Sequence, residues 1–180
     1  QVYRDWIMEH PYDFGSGWAQ EPWSQQEMPL SGGIVERAAK VNDAALVIIG
    51  RTAGEDRDAK KEAGSFYLSG EEEKMMERVC AAFDRVIVVL NVGNIIDMKW
   101  VKAYDPQAVL YVWQGGMEGG HAAAEVLMGR MNPCGKLTDT IALSVEDYPS
   151  AANFGGVDGD RYAEDIYVGY RYFETAAKEK

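Results

Sequence analysis

Ile48-Ile49-Gly50-Arg51-Thr52-Ala53-Gly54-Glu55-Asp56-Arg57-Asp58 is the stretch that decides the fold, because an apolar run ends there in a polar loop crowded with ionisable side chains. Joined to Ala45, Leu46 and Val47, the apolar part is a strand without polar alternation, the pattern of a strand buried on both faces in a parallel sheet. In open α/β sheets, ligands bind at the loops leaving the carboxyl ends of the strands. Glu55 stands in such a loop and is the first candidate for a catalytic residue.

Outward from this strand the chain is regular. Ser31 can cap a helix running through Asn42, with Ile34, Val35 and Ala38 as its apolar stripe. Ser69 caps a second helix from Gly70 to Phe83, in which Glu71, Glu72 and Glu73 complement the positive end of the macrodipole and Met75, Met76, Val79 and Phe83 face inward. Arg85 to Leu90 and Ala108 to Trp113 read as two more strands, Asn94 to Tyr104 and Gly119 to Met131 as helices. Strands alternating with helices imply right-handed crossovers and an α/β fold with a largely parallel sheet sandwiched by helices.

The two ends differ in texture. Residues 1–30 hold Trp6, Trp18 and Trp23 among glycines and prolines, with no period beyond a short helix from Val2 to Met8. They form an aromatic-rich arm ahead of an α/β domain over residues 31–180. Aromatic loops stack on sugar rings, and equally they pack against the body of a domain. After Met131 the texture changes again: Thr138 to Leu143 reads as an extended edge segment, and the tail Ile166 to Phe173 alternates like a last strand.

A chain of 180 residues, 47% hydrophobic, is long enough for a sizeable core. Its formal net charge of −11 repels phosphate backbones and anionic membrane surfaces, so neither nucleic acid nor membrane is expected as a partner, and a neutral ligand is. Two cysteines provide no disulfide framework, which points to a reducing, cytoplasmic compartment. The chain begins at Gln1 without an initiator methionine or signal peptide and is expected to be a piece of a longer one.

Several motifs are nearly present. Gly129 to Leu137 has the wrong spacing for a P-loop and no magnesium-binding hydroxyl, and Gly115 to Gly120 has the wrong spacing for a dinucleotide fingerprint. His10 and His121 lie in no metal-ligand pattern and are read as structural or surface groups, so no metal or cofactor is expected. No Gly-x-Ser-x-Gly elbow occurs. What remains is the acidic loop, in which Glu55, Asp56 and Asp58 lie among Arg51, Arg57, Lys60 and Lys61.

That loop belongs to a larger set of blocks. Gly50 to Glu55, Ser65-Phe66-Tyr67-Leu68-Ser69, Val89-Leu90-Asn91-Val92-Gly93, Trp113 to Gly120, Gly129 to Thr140 and Tyr162 to Phe173 occur in the order found in family 3 glycoside hydrolases, and the chain resembles the C-terminal α/β-sandwich domain of that β-glucosidase family. The resemblance implies a sandwich of the (α/β)6 type, here truncated. It also implies hydrolysis of β-linked glucosides with retention, by an aspartate nucleophile on a separate (β/α)8 barrel and a glutamate acid/base from a loop of the sandwich. The position matching that glutamate is Glu55; Arg57, Tyr67 and Trp18 are the candidates for contact with substrate. No barrel is present in these 180 residues, and the segment alone is expected to be inactive. A second reading keeps the same domain as a binding or scaffolding module that shapes the aglycone end with Trp18, Trp23 or Tyr67. Missing strands would leave apolar edges able to pair with another copy.

Overall fold

The computed structural model describes residues 1–53, 58–159 and 161–179. After α1 (Val2–Glu9) and α2 (Gly32–Ala39), strands β1 (Ala45–Gly50), β2 (Val86–Asn91) and β3 (Ala108–Tyr111) alternate with α3 (Gly70–Ala82), α4 (Lys99–Tyr104) and α5 (Gly119–Leu127). Two 3-10 turns, Val145–Asp147 and Pro149–Ala152, precede α6 (Tyr170–Glu179). The strands form a parallel sheet in the order β1-β2-β3, with Val47 beside Val88 and Val88 beside Val109. Two compact units result, Gln1–Asn132, which holds the arm and the sheet, and Pro133–Lys180.

The expected strands and the long helix are present because their local signals agree with their packing. At the start of α3 the Ser69 hydroxyl accepts from the Glu72 N–H, and the Glu72 carboxylate accepts from the Ser69 N–H, a reciprocal capping box. Such a cap contributes about 1 kcal/mol. Met75, Met76 and Val79 follow at helical spacing and are buried against Val47, Ile49, Val88 and Leu90. Ile96 and Trp100, ahead of and within α4, complete the same core.

The sheet is parallel with helices packed on it, as expected, and the edge strand β1 is open on the face away from α3. Leu46 and Ile48 are 51% and 58% exposed, while their neighbours Val47 and Ile49 are buried. Successive strands step in one direction, and right-handed crossovers taken in one direction place their helices on a single side. In accord with that rule α2 packs on α3, and α3 on both α4 and β1. On the other face Val89 of β2 is buried all the same.

Three boundaries also move. Ser31 occupies the N-cap position of α2, but its hydroxyl makes no capping bond, and the helix ends at Ala39 rather than Asn42. Residues 94–98 are irregular because Asp97 spends its backbone N–H on the Phe66 carbonyl and its carboxylate on the Lys99 N–H; α4 starts only at Lys99. α5 ends at Leu127, short of Met131.

Within Pro133–Lys180 the two expected extended segments are not strands. The Thr140 carbonyl and Ala142 N–H are both taken by the Tyr148 hydroxyl, at 2.8 and 2.9 Å, in place of a strand partner. In the tail, Gly169 adopts a φ of +59°, which breaks an extended run, and Tyr170 onward forms α6. A helix satisfies its own backbone, whereas a lone strand without a partner leaves it unpaired.

Candidate functional site

The carboxyl edge of the sheet is where three loops meet, and Arg51 is at the centre of them. It directly follows β1, and its side chain is 4% exposed. Nε donates to the Ser65 carbonyl at 2.9 Å, Nη1 to the Gly50 carbonyl at 2.7 Å and to Glu72 Oε1 at 2.6 Å, and Nη2 to Glu72 Oε2 at 2.8 Å and to the Tyr67 carbonyl at 3.2 Å. Five N–H donors meet five acceptors, the full complement of the side chain. Glu72, 3% exposed, brings this pair to the first turn of α3.

The other loops attach to the same place. From the loop after β3, Gln114 Nε2 donates to the Arg51 carbonyl at 3.3 Å. From the loop after β2, Gly93 lies so close to Ala53 that a side chain at 93 would collide with the Ala53 methyl, the reason glycine is needed there. The Phe66 carbonyl accepts from Asp97, and the Tyr111 hydroxyl donates to the Asn94 carbonyl at 2.7 Å. Trp113 has a φ of +55°, a left-handed conformation rarely adopted by a bulky side chain and one that tends to occur where function holds the backbone under strain. The arm joins at this edge too: the Trp23 carbonyl accepts from the Thr52 N–H at 2.7 Å, and Ser24 lies against Gly64.

The sequence candidates are distributed unevenly around this centre. Glu55 and Arg57 lie outside the described residues; the flanking Ala53 and Asp58 are described. Tyr67 belongs to the Arg51 cluster through its backbone, with a half-buried ring edge-on to Phe66 at 5.2 Å. Trp18 is 74% exposed, and the arm reaches the loop through Trp23 and Ser24. Arg51, Glu72 and Trp113 were not singled out from sequence as site residues. Of these, the sequence gives Glu72 a role only as one of three first-turn glutamates that complement the helix dipole.

Among the described residues no group of three or more His, Cys, Asp or Glu side chains is gathered as metal ligands. His121 is an exposed side chain flanked by carboxylates of the same helix region: Glu118 is 3.4 Å from Nδ1 and Glu125 is 3.7 Å from Nε2. Those separations are far from metal-ligand lengths. His10 stacks on Trp6 at 4.2 Å and spends Nδ1 on the Trp6 carbonyl.

Comparison with known proteins agrees with this geometry. The family model described as the glycosyl hydrolase family 3 C-terminal domain matches residues 32–170. A β-glucosidase from Ruminococcus albus is 53% identical over the whole chain, which covers 19% of that protein. An exo-α-(1->6)-L-arabinopyranosidase from Bifidobacterium breve is 35% identical over 78% of the chain and 18% of its own length. Among solved structures, a β-glucosidase from Paenibacillus barengoltzii superposes with a TM-score of 0.91 at 52% identity, over 96% of this chain and 19% of that one. The chain thus spans about a fifth of the length of its curated relatives. With its parallel sheet, its loops gathered at the carboxyl edge and this match over most of its length, the chain belongs to the glycosyl hydrolase family 3 C-terminal domain family.

Proposed function

We propose that this chain is the acid/base-bearing segment of a retaining β-glucosidase and that Glu55 is the proton donor. The aspartate nucleophile and most contacts to the non-reducing sugar then belong to a (β/α)8 barrel in the rest of the enzyme, and the substrate is a β-linked glucoside. The observation that supports this reading best is the base of the loop. Residues 51–53 are tied to the loops after β2 and β3, to α3 and to the arm, so the stretch that follows leaves a rigid edge. Proton transfer in a transition state needs that rigidity, because a donor must stay within hydrogen-bond reach of the departing oxygen.

The chemistry sets two further requirements. Glu55 must hold a proton near neutral pH, deliver it to the glycosidic oxygen as the bond to C1 breaks, and then take one from the water that attacks the glycosyl-enzyme. Burial under the barrel and the negative charge of the nucleophile, about 5 Å away in retaining enzymes, would both raise its pKa. The sugar itself is chosen elsewhere. A relative named for an arabinopyranoside is 35% identical over the 147 residues it aligns with this segment, so the features they have in common do not select glucose.

Glu55→Ala in the full-length enzyme tests the role. Without a proton donor, substrates with poor leaving groups lose on the order of 10²–10⁴-fold in rate, activated aryl glucosides lose far less, and azide restores turnover by attacking the glycosyl-enzyme. Equal losses on all leaving groups, with no azide rescue, would remove Glu55 from the mechanism. The 180-residue chain by itself is expected to be inactive on a chromogenic β-glucoside; turnover comparable to a full-length enzyme would overturn the division of roles.

A further inference from the structure

We infer that Arg51 is a positioning residue for the acid/base, a clamp that fixes both limbs of the loop carrying Glu55; the inference rests on the role proposed for Glu55. The outgoing limb is Gly50–Arg51 and the returning limb is Ser65–Ser69. One guanidinium holds the Gly50 carbonyl on the first and the Ser65 and Tyr67 carbonyls on the second. Its bidentate partner Glu72 accepts from the Ser69 N–H at 2.7 Å, so the same pair also sets the start of α3. The returning limb is further bonded to the residues just ahead of it: Ser65 Oγ accepts from the Lys60 N–H, and the Lys60 carbonyl accepts from the Glu62 and Phe66 N–H groups.

The burial of the pair argues for geometry rather than stability. Taking a guanidinium and a carboxylate out of water costs several kcal/mol per ion, and well-packed apolar residues often serve a fold as well or better. What apolar residues cannot do is hold five directed bonds at once. Arginine does this through a planar fork, whereas lysine offers one compact ammonium with three donors and no bidentate geometry. Arg51→Lys therefore keeps the charge opposite Glu72 and releases part of the grip on Ser65 and Tyr67. The loop is then joined to the same core but no longer held to the sub-ångström tolerance that proton transfer needs.

The experiment compares Arg51→Lys, Glu72→Gln and Glu55→Ala in the full-length enzyme across aryl and alkyl β-glucosides of decreasing leaving-group acidity, with thermal melting alongside. Glu72→Gln keeps the size of the side chain but removes the charge opposite the buried Arg51 and turns one acceptor into a donor facing Arg51 Nη2 and Ser69 N, so its rates are read together with its melting temperature. For Arg51→Lys the expected loss in kcat/KM on the poorest leaving group is about 10²-fold, the cost of a misplaced catalytic group. On the most activated substrate it stays within about threefold, because little protonation is needed there. Glu72→Gln shows the same slope. If Glu55→Ala is steeply leaving-group dependent while the folded variants at 51 and 72 lose the same factor on every substrate, or nothing, the clamp is wrong and the acid/base role stands. If Glu55→Ala itself shows no dependence, both fall.

Discussion

The two faces of the sheet are made of the same kinds of residue and are covered unequally. Toward α3, Val47, Ile49, Val88 and Leu90 are buried in one continuous core with Met76 and Trp100. On the reverse face, Leu46 and Ile48 of the edge strand are largely exposed, although Val89 beside them in β2 is buried. Apolar composition shows that a face is able to be buried. Chain direction decides which face this segment buries with its own helices.

The most severe way to break that contrast is to open a cavity on the covered face. Met76 is fully buried between α3 and the strands. Met76→Ala is expected to cost about 2–5 kcal/mol, the transfer energy of the lost atoms plus the cavity they leave. Urea unfolding of the 180-residue chain measures it, and a loss well under 1 kcal/mol would mean that α3 does not seal this face.

The open face gives a smaller effect with a sharper meaning. Ile48→Thr keeps the β-branched shape that suits a strand and adds a hydroxyl that water can satisfy. In the chain alone it is expected to change stability by no more than about 0.5 kcal/mol, as for other exposed positions. In the full-length enzyme the same substitution should cost about 1–3 kcal/mol if another layer covers the face, because the hydroxyl is then buried without a partner. Equal, small effects in both contexts would show that the face stays in water.

The contrast also explains what could be read in the sequence. The strands at Ala45, Val86 and Ala108 were legible because four to six consecutive apolar residues ended in turn residues, and α3 because Ser69-x-x-Glu72 preceded an apolar stripe. Those signals are local. Exposure of Leu46 and Ile48 was not legible, since it depends on which way the chain steps across the sheet. Nor was the second duty of Glu72, whose partner Arg51 lies 21 residues away. The tail failed for a similar reason: alternating aromatic residues from Tyr167 to Phe173 suit a strand only when an edge is available, and a left-handed Gly169 followed by a helix needs none. For the site, the match of the blocks drew attention to the loop after β1, but Glu55 and Arg57 lie outside the described residues, and the side chains that organise the loop's base were recognisable only in three dimensions.

The mildest effect lies at the rim of the covered face, where the arm runs beside α3. Leu30 packs on the core there and its carbonyl accepts from Arg78, while Glu27 nearby is half-buried. Burial pushes the Glu27 carboxyl above its ordinary range and the charge of Glu72 pushes the same way, against a hydrogen bond from the Met28 N–H that lowers it. A carboxyl with a raised pKa in the folded state is more willing to be protonated there than in the unfolded chain. Its contribution to stability is therefore neutral or favourable at low pH, where both states are protonated, and turns unfavourable as pH rises through the unfolded and then the folded value. Glu27→Gln, which stays neutral throughout, should match the parent chain at about pH 4 and become the more stable of the two by neutral pH. The gap stays small because much of the carboxyl still faces water, which screens its charge. Urea midpoints of both chains across that range measure it, and a gap that does not widen with pH would mean that the desolvation of the covered face stops short of the arm.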